Sequence, residues 1–219
     1  MNPSQAKSIP ELVELAAKLY GDKISIEDQD KSLSFKQLHE ESDRVFYSLL
    51  SSGINQGDRV GIWAPNQYEW ILAAIGILKV GAILVPVNTR LKGEDAGYIF
   101  EKSSVKLLFT MENFLGINYA EILDKKRLKN LKKIIFFDKP SGEGSWSHFL
   151  DTTITKTQYN LSEPYQGLIA DIIFTSGTTG NPKGVMVSHN QNMRVFESWS
   201  RHVGLKEGDR YLIVNPFFH

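Results

Sequence analysis

Cysteine is absent from the 219 residues. That removes disulfides, thiolate metal centres and a cysteine nucleophile, and it agrees with a cytoplasmic setting. Neither charge sign is in excess, because 25 basic side chains balance 25 acidic ones. No electrostatic footprint for nucleic acid or an anionic membrane surface follows from such a balance. Long apolar runs are missing as well. The most apolar stretch, Trp70 to Val87, has Lys79 in its middle and is broken by Gly81 and Pro86. It is too short for a transmembrane segment and reads as a buried helix followed by a core strand. The N-terminus lacks the basic-then-apolar order of a signal peptide. His39, His148, His189 and His202 share no metal-ligand spacing with one another or with carboxylates.

What is present is a soluble globular composition, 42% hydrophobic and 23% charged, in a chain long enough to bury a sizeable core. Apolar residues at helical spacing predict a helix over Ile9 to Tyr20, capped by Ser8 and stopped by Gly21. A hairpin is expected from Lys23 to Ser34 around Gln29-Asp30. A second helix follows from Phe35 to Leu50, with Ser34 as its cap. Strands at Arg59–Ala64, Ile83–Val87, Lys106–Thr110 and Lys133–Phe137 alternate with helices expected from Asn66 to Val80, Lys92 to Lys102 and Glu112 to about Leu131. Strand–helix–strand units with short connections predict a parallel sheet with helices on its faces. A looser passage, residues 138–166, separates this first α/β part, residues 1–165, from a segment, residues 166–219, with a helix from Ser188 to about Val203 and a strand over Arg210 to Val214. The basic cluster Lys125, Lys126, Arg127, Lys129, Lys132 and Lys133 reads as a solvated helix face ending at a strand.

The stretch whose chemistry is most direct runs from Thr175 to Gly184, Thr-Ser-Gly-Thr-Thr-Gly-Asn-Pro-Lys-Gly. Apolar runs of strand composition flank it, Ile172 to Phe174 before and Val185 to Val187 after. Gly177, Gly180 and Gly184 let main-chain N–H groups approach a ligand closely. The hydroxyls of Thr175, Ser176, Thr178 and Thr179 add donors, and Lys183 adds a cation. Such a loop suits a polyanion, above all nucleotide phosphates. A Walker A loop would place its lysine at the start of a helix. Here Lys183 lies between Pro182 and Gly184, and a strand follows, so the loop joins two strands. The competing reading is a plain Gly/Ser/Thr-rich turn with no ligand.

Thr175 to Gly184 resembles the phosphate-binding signature of the acyl-adenylate-forming (AMP-binding) superfamily. Two other stretches resemble motifs of the same group in the same order. These are Leu78-Lys-Val-Gly-Ala-Ile-Leu-Val-Pro-Val-Asn-Thr-Arg-Leu91, a helix end running into a strand and turn, and Asn215-Pro-Phe-Phe-His219. On position alone, His219 is equally a terminal residue without a role and a member of a site at the sheet edge. The resemblance favours the site. It implies a layered parallel-sheet (flavodoxin-like) subdomain of the large N-terminal domain of adenylate-forming enzymes. It also implies that the chain is an N-terminal portion lacking the mobile C-terminal lid domain, and that this portion alone has no ligase turnover. The expected activity is ATP-dependent activation of a carboxylic, in particular fatty, acid to acyl-AMP and then to a coenzyme A thioester, with Mg2+ accompanying the nucleotide. Thr175, Ser176, Gly177, Thr178, Thr179, Gly180 and Lys183 would hold the β- and γ-phosphates. Lys183 would offset the charge of the leaving pyrophosphate, and His219 would line the pocket near the carboxylate. Val85-Pro-Val-Asn-Thr-Arg-Leu91 is more similar to acyl-CoA synthetases than to peptide-synthetase adenylation domains. The alternatives are a non-catalytic nucleotide- or acyl-binding module, an adenylation domain of another branch, and a phosphotransferase with an unusual phosphate loop. The last has no visible aspartate base or second metal motif.

Overall fold

A computed structural model describes residues 6–151, 165–175 and 181–218. The first helix, α1 (Ile9–Tyr20), begins where the Ser8 hydroxyl accepts the Glu11 N–H, with Pro10 in its first turn. Its Val13 and Ala16 are buried. A short antiparallel hairpin follows, β1 (Ile24–Asp28) and β2 (Lys31–Ser34). Ser34 then forms a capping box with Gln37 and starts α2 (Phe35–Ser51).

From there strand and helix alternate: β3 (Arg59–Trp63), α3 (Tyr68–Val80), β4 (Ile83–Pro86), α4 (Gly93–Ser103), β5 (Leu107–Thr110) and β6 (Lys133–Phe136). A short helix α5 (Trp146–Leu150) precedes the strands β7 (Ile169–Thr175) and β8 (Lys183–Ser188), and α6 (His189–Val203) follows them. Six strands form one sheet in the order β6-β5-β3-β4-β7-β8, parallel throughout except for β8, which runs antiparallel to β7. Strands on both sides of residues 152–164 therefore share a single sheet.

Burial on both faces explains why these strands read as unbroken apolar runs. Val60, Ile62, Leu107 and Phe109 face one core with Val45, Leu49, Ala73 and Ile77 of α2 and α3. Their neighbours in sequence, Trp63 and Leu108, face the other core together with Val85 of β4 and with Ile99 and Phe100 of α4. The period-two alternation thus divides side chains between two helical layers. Where α2 and α3 cross, Gly76 lets the helices approach: a Cβ there would lie 2.4 Å from Val45 Cγ1.

Lys79, inside the most apolar helix, is 7% exposed. Its ammonium is held by Asp43 Oδ1 at 2.6 Å, Ser42 Oγ at 2.8 Å and the His39 carbonyl at 3.1 Å. A buried cation is tolerated only with such partners. No helix among the described residues is long and apolar enough to cross a membrane.

Three sequence expectations differ from the fold. The helix expected from Glu112 to Leu131 is a series of turns. Asn113, Asn118 and Asp124 accept backbone N–H bonds from Gly116, Ala120 and Lys126, an alternative to helical bonding. Asp138 fixes the start of the segment by accepting from the N–H groups of Glu112 and Asn113. The basic cluster accordingly lies mostly in exposed turns. Second, Arg210 to Val214 forms no strand; Leu212 and Val214 are 80% and 77% exposed. A β-propensity run without a neighbouring strand has nothing to pair with. Third, Asn66 does not cap α3. Gln67 is the N-cap and its side chain makes no capping bond. Asp28, reaching over from the end of β1, accepts the Tyr68 N–H at 2.9 Å instead.

Candidate functional site

Parallel strands point their carboxyl ends the same way, so Trp63, Pro86, Thr110, Phe136 and Thr175 all finish on one edge of the sheet. Open α/β sheets bind ligands along that edge. Because β8 is antiparallel, it starts at this edge, and Lys183 stands opposite Thr175 in the ladder. Both ends of the loop joining them therefore lie at the carboxyl edge. Of the residues expected to hold phosphate, Thr175 and Lys183 are described, and both are exposed. Ser176, Gly177, Thr178, Thr179, Gly180 and His219 lie outside the described residues.

The base of the loop is tightly built. Gly184 pairs with Phe174, and a Cβ on it would meet Ile172 Cγ2 at 2.8 Å and the Phe174 ring at 3.1 Å. The absence of a side chain there lets the ring fold over the hairpin next to Lys183. The Lys183 ammonium makes no hydrogen bond or ion pair among the described residues, so its charge is available to a ligand at the loop.

The segment expected to carry a site histidine returns to the same edge. Asn66, just past the carboxyl end of β3, donates from Nδ2 to the Asn215 carbonyl at 2.9 Å and accepts the Phe217 N–H on Oδ1 at 2.8 Å. Phe217 packs on Trp70, with ring centroids 5.1 Å apart, and Phe218 is 7% exposed. Asn215 to Phe218 is thereby fixed at the amino end of α3. Sequence reasoning treated Asn66 as a helix opener and missed this role. The available signal was an amide able to donate and accept at once, placed immediately after a buried strand. Beside it a cleft of about 340 Å³ is lined by Asp28, Gln67, Tyr68, Ile71, Tyr211 and Phe217, among others.

The Leu78–Leu91 stretch has the shape its residues implied: the end of α3, Gly81 in the left-handed region at φ 74°, β4, and a turn through Thr89 and Arg90. Beneath the hairpin two further polar groups are buried. Asp171 of β7 is 8% exposed and His189, first in α6, is fully buried. Burial pushes the Asp171 carboxyl up and the His189 imidazole down to about 4. Among the described residues no group of three or more His, Asp or Glu could hold a metal.

A parallel-dominated sheet with helices on both faces defines an α/β protein whose carboxyl edge carries both ends of the Thr175–Lys183 connection. Residues 13–219 match the family described as "AMP-binding enzyme", and the chain belongs to that family. A CoA ligase from Rhodococcus jostii, acting on a methyl-dioxo-octahydroindenyl propanoate, is 33% identical over 98% of this chain and 44% of its own length. A crotonobetaine/carnitine–CoA ligase from Salmonella heidelberg is 35% identical over 93% of this chain and 40% of its own. Among solved structures, the anthranilate CoA ligase AuaEII, in complex with anthranoyl-AMP, superposes with a TM-score of 0.85. It is 26% identical, and the match covers 100% of this chain and 42% of that one. The chain thus spans less than half the length of these relatives.

Proposed function

We propose that this chain carries the triphosphate-holding part of an acid–thiol ligase, which joins a carboxylic acid to coenzyme A at the expense of ATP. The observation that supports it most is the mouth of the hairpin. Thr175 and Lys183 face each other at the carboxyl edge of the sheet and flank a segment rich in hydroxyls and glycine.

In the first step a carboxylate oxygen of the acid attacks the α-phosphorus of ATP. The bond between that phosphorus and the bridging oxygen to the β-phosphate breaks, and pyrophosphate departs with the electron pair. Both reactants are anionic, so the rate depends on offsetting charge and on aligning the two groups. Lys183 faces the departing pyrophosphate and compensates its charge. The donors of Thr175 to Gly180 hold the β- and γ-phosphates, and His219, carried just beyond the docked Phe218, lines the side from which the carboxylate comes. In the second step the coenzyme A thiol attacks the acyl carbon and AMP leaves. Mg2+ is expected to accompany ATP on its own phosphates. The described residues supply no carboxylate cluster for it, and no step is assigned to it here.

The acids named for the relatives range from a bicyclic propanoate to carnitine and anthranilate, so the acid is best sought with a panel led by fatty acids. Calorimetry with ATP tests the phosphate reading: Lys183→Ala is expected to weaken binding about tenfold or more, the scale of a charge-assisted hydrogen bond. Equal affinity in the two proteins would refute it. Release of pyrophosphate that depends on an added carboxylic acid separates activation from nucleotide binding alone.

A further inference from the structure

β7 joins the main sheet through one paired position, Leu84 of β4 with Asp171. Beyond it, Ile172 to Thr175 pair with β8, while Ile172 and Phe174 also pack against the core beneath α4. The register also slips between Ile169 and Asp171, and such an irregularity bends a strand and increases its twist. Asp171 is paired on both sides, with Leu84 of β4 and with Val187 of β8, and joins the hairpin to the sheet.

A side-chain contact secures this junction. Asp171 Oδ2 accepts from Asn192 Nδ2 at 2.5 Å, and Asn192 lies in the first turn of α6. That helix follows β8 without a linker, so the contact spans the outgoing and returning limbs of the hairpin. His189 and Asn192, three residues apart, occupy the same side of α6. His189 is fully buried against Tyr165, with ring centroids 5.8 Å apart, and its N–H bonds the Leu168 carbonyl at 3.2 Å. The same helix face is thus packed at the base of β7, and Ser188 and Gln191 close the helix start with a capping box. A carboxylate 8% exposed in a sheet is costly unless it does something there. Its second oxygen, Oδ1, is buried without a partner among the described residues, so Asn192 is the group among them that holds the carboxylate.

We propose that Asp171 and Asn192 form a clamp that sets the angle of the phosphate-loop hairpin against the sheet, making both of them positioning residues for nucleotide binding. The nucleotide half of this statement rests on reading residues 175–184 as a phosphate loop. The mechanical half does not.

Asn192→Ala and Asp171→Asn in the 219-residue chain test it, with amide hydrogen exchange followed by mass spectrometry as the first readout. Alanine is a better helix former than asparagine, so the first variant keeps α6. The second keeps an oxygen acceptor facing Asn192 and removes the buried charge. Exchange in Lys183–Ser188 is expected to accelerate about tenfold in Asn192→Ala, the scale of one hydrogen bond to a charged group, and by less in Asp171→Asn, which keeps a neutral bond to Asn192. Leu107–Thr110, on the far side of the sheet, should be unaffected. Unchanged exchange in Lys183–Ser188 would overturn the clamp, and so would equal acceleration in Leu107–Thr110, which marks general destabilisation. The second readout is ATP affinity by calorimetry, expected to fall about tenfold in Asn192→Ala and by less in Asp171→Asn, which keeps a neutral acceptor. If the unaltered chain binds no ATP, the phosphate-loop reading fails while the exchange data still decide the clamp.

Discussion

Protonation of His189 should couple acidity to the stability of the hairpin base. The imidazole is fully buried, and neither ring nitrogen has a hydrogen-bond partner among the described residues. Burial depresses its pKa from 6.5 to about 4. As pH falls below 6.5 the unfolded chain takes up a proton that the folded chain refuses, so stability is lost through this interval. Below about 4 both states are protonated and the loss from this group stops growing. Linkage with these two values gives a loss of about 2 kcal/mol between pH 7 and pH 5, and about 3 kcal/mol by pH 4. His189→Phe fills similar space, keeps an aromatic ring against Tyr165, and cannot be protonated. At pH 7 it should lie within about 1 kcal/mol of the parent, because no ring hydrogen bond is given up. Urea unfolding of both proteins at pH 7, 6 and 5 measures the effect, and their difference cancels the contribution of every other titrating group. Asp171 is raised by burial and therefore loses stability in the opposite direction, as pH rises through its folded value. It is common to both proteins and drops out. The reasoning is refuted if the two urea midpoints fall in parallel as the pH is lowered.

Three other changes probe the scaffold. Gly76→Ala forces a methyl to within 2.4 Å of Val45 Cγ1 where α2 and α3 cross; it should cost about 1–3 kcal/mol, seen as a lower urea midpoint with an unchanged slope. Asn66→Ala deletes both bonds that hold Asn215 and Phe217; being exposed, they contribute only about 1 kcal/mol, so proteolysis near residues 211–218 should quicken while the global midpoint barely moves. Burial lowers the Lys79 ammonium below its ordinary 10.5. The folded chain releases that proton before the unfolded one, so stability should climb as pH rises from the depressed value towards 10.5. Lys79→Met should lack this climb in urea titrations at alkaline pH.

Elements specified by local chemistry were legible in the sequence. Ser8, Ser34 and Ser188 each start a helix where a hydroxyl can accept the N–H three residues on, and the buried strands announce themselves by apolar runs between turn residues. The failures share a cause, which is competition decided at a distance. Residues 112–131 carry enough leucine and lysine for a helix. Asn113, Asn118 and Asp124 capture the backbone locally, while Tyr119 stacks on Trp63 with centroids 4.1 Å apart and pins the coil to the core. Tyr211 to Val214 has strand composition, but strand formation needs a partner that sequence composition does not reveal. Asp28 caps a helix forty residues away, and Asn66 holds a segment about 150 residues away. In the candidate site, the proposed phosphate loop is read from residue types that phosphate binding requires, and the structure describes its two ends, Thr175 and Lys183. The clamp at its base was not legible, because one aspartate within an apolar run acquires meaning only once α6 brings Asn192 against it.

The antiparallel partner gives the loop a property that a strand-to-helix phosphate loop lacks. In the latter, a helix dipole supplies the positive end and the lysine sits at the helix start. Here the chain returns along β8, so Lys183 is already a ladder residue, fixed opposite Thr175 by the same pairing that runs to Val187. Gly184 and the Phe174 ring consolidate the next rung. The cation is therefore carried by a strand, with Pro182 stiffening the approach to it. The hydroxyls of Ser176 to Thr179, by contrast, belong to the connection itself. On the proposed phosphate reading, a cation whose backbone is fixed in a ladder needs less reordering to meet the ligand, which lowers the cost of binding. Asp171 lies in the same ladder four residues before Thr175, and for this reason its contact with Asn192 is expected to be felt at the Thr175–Lys183 rung.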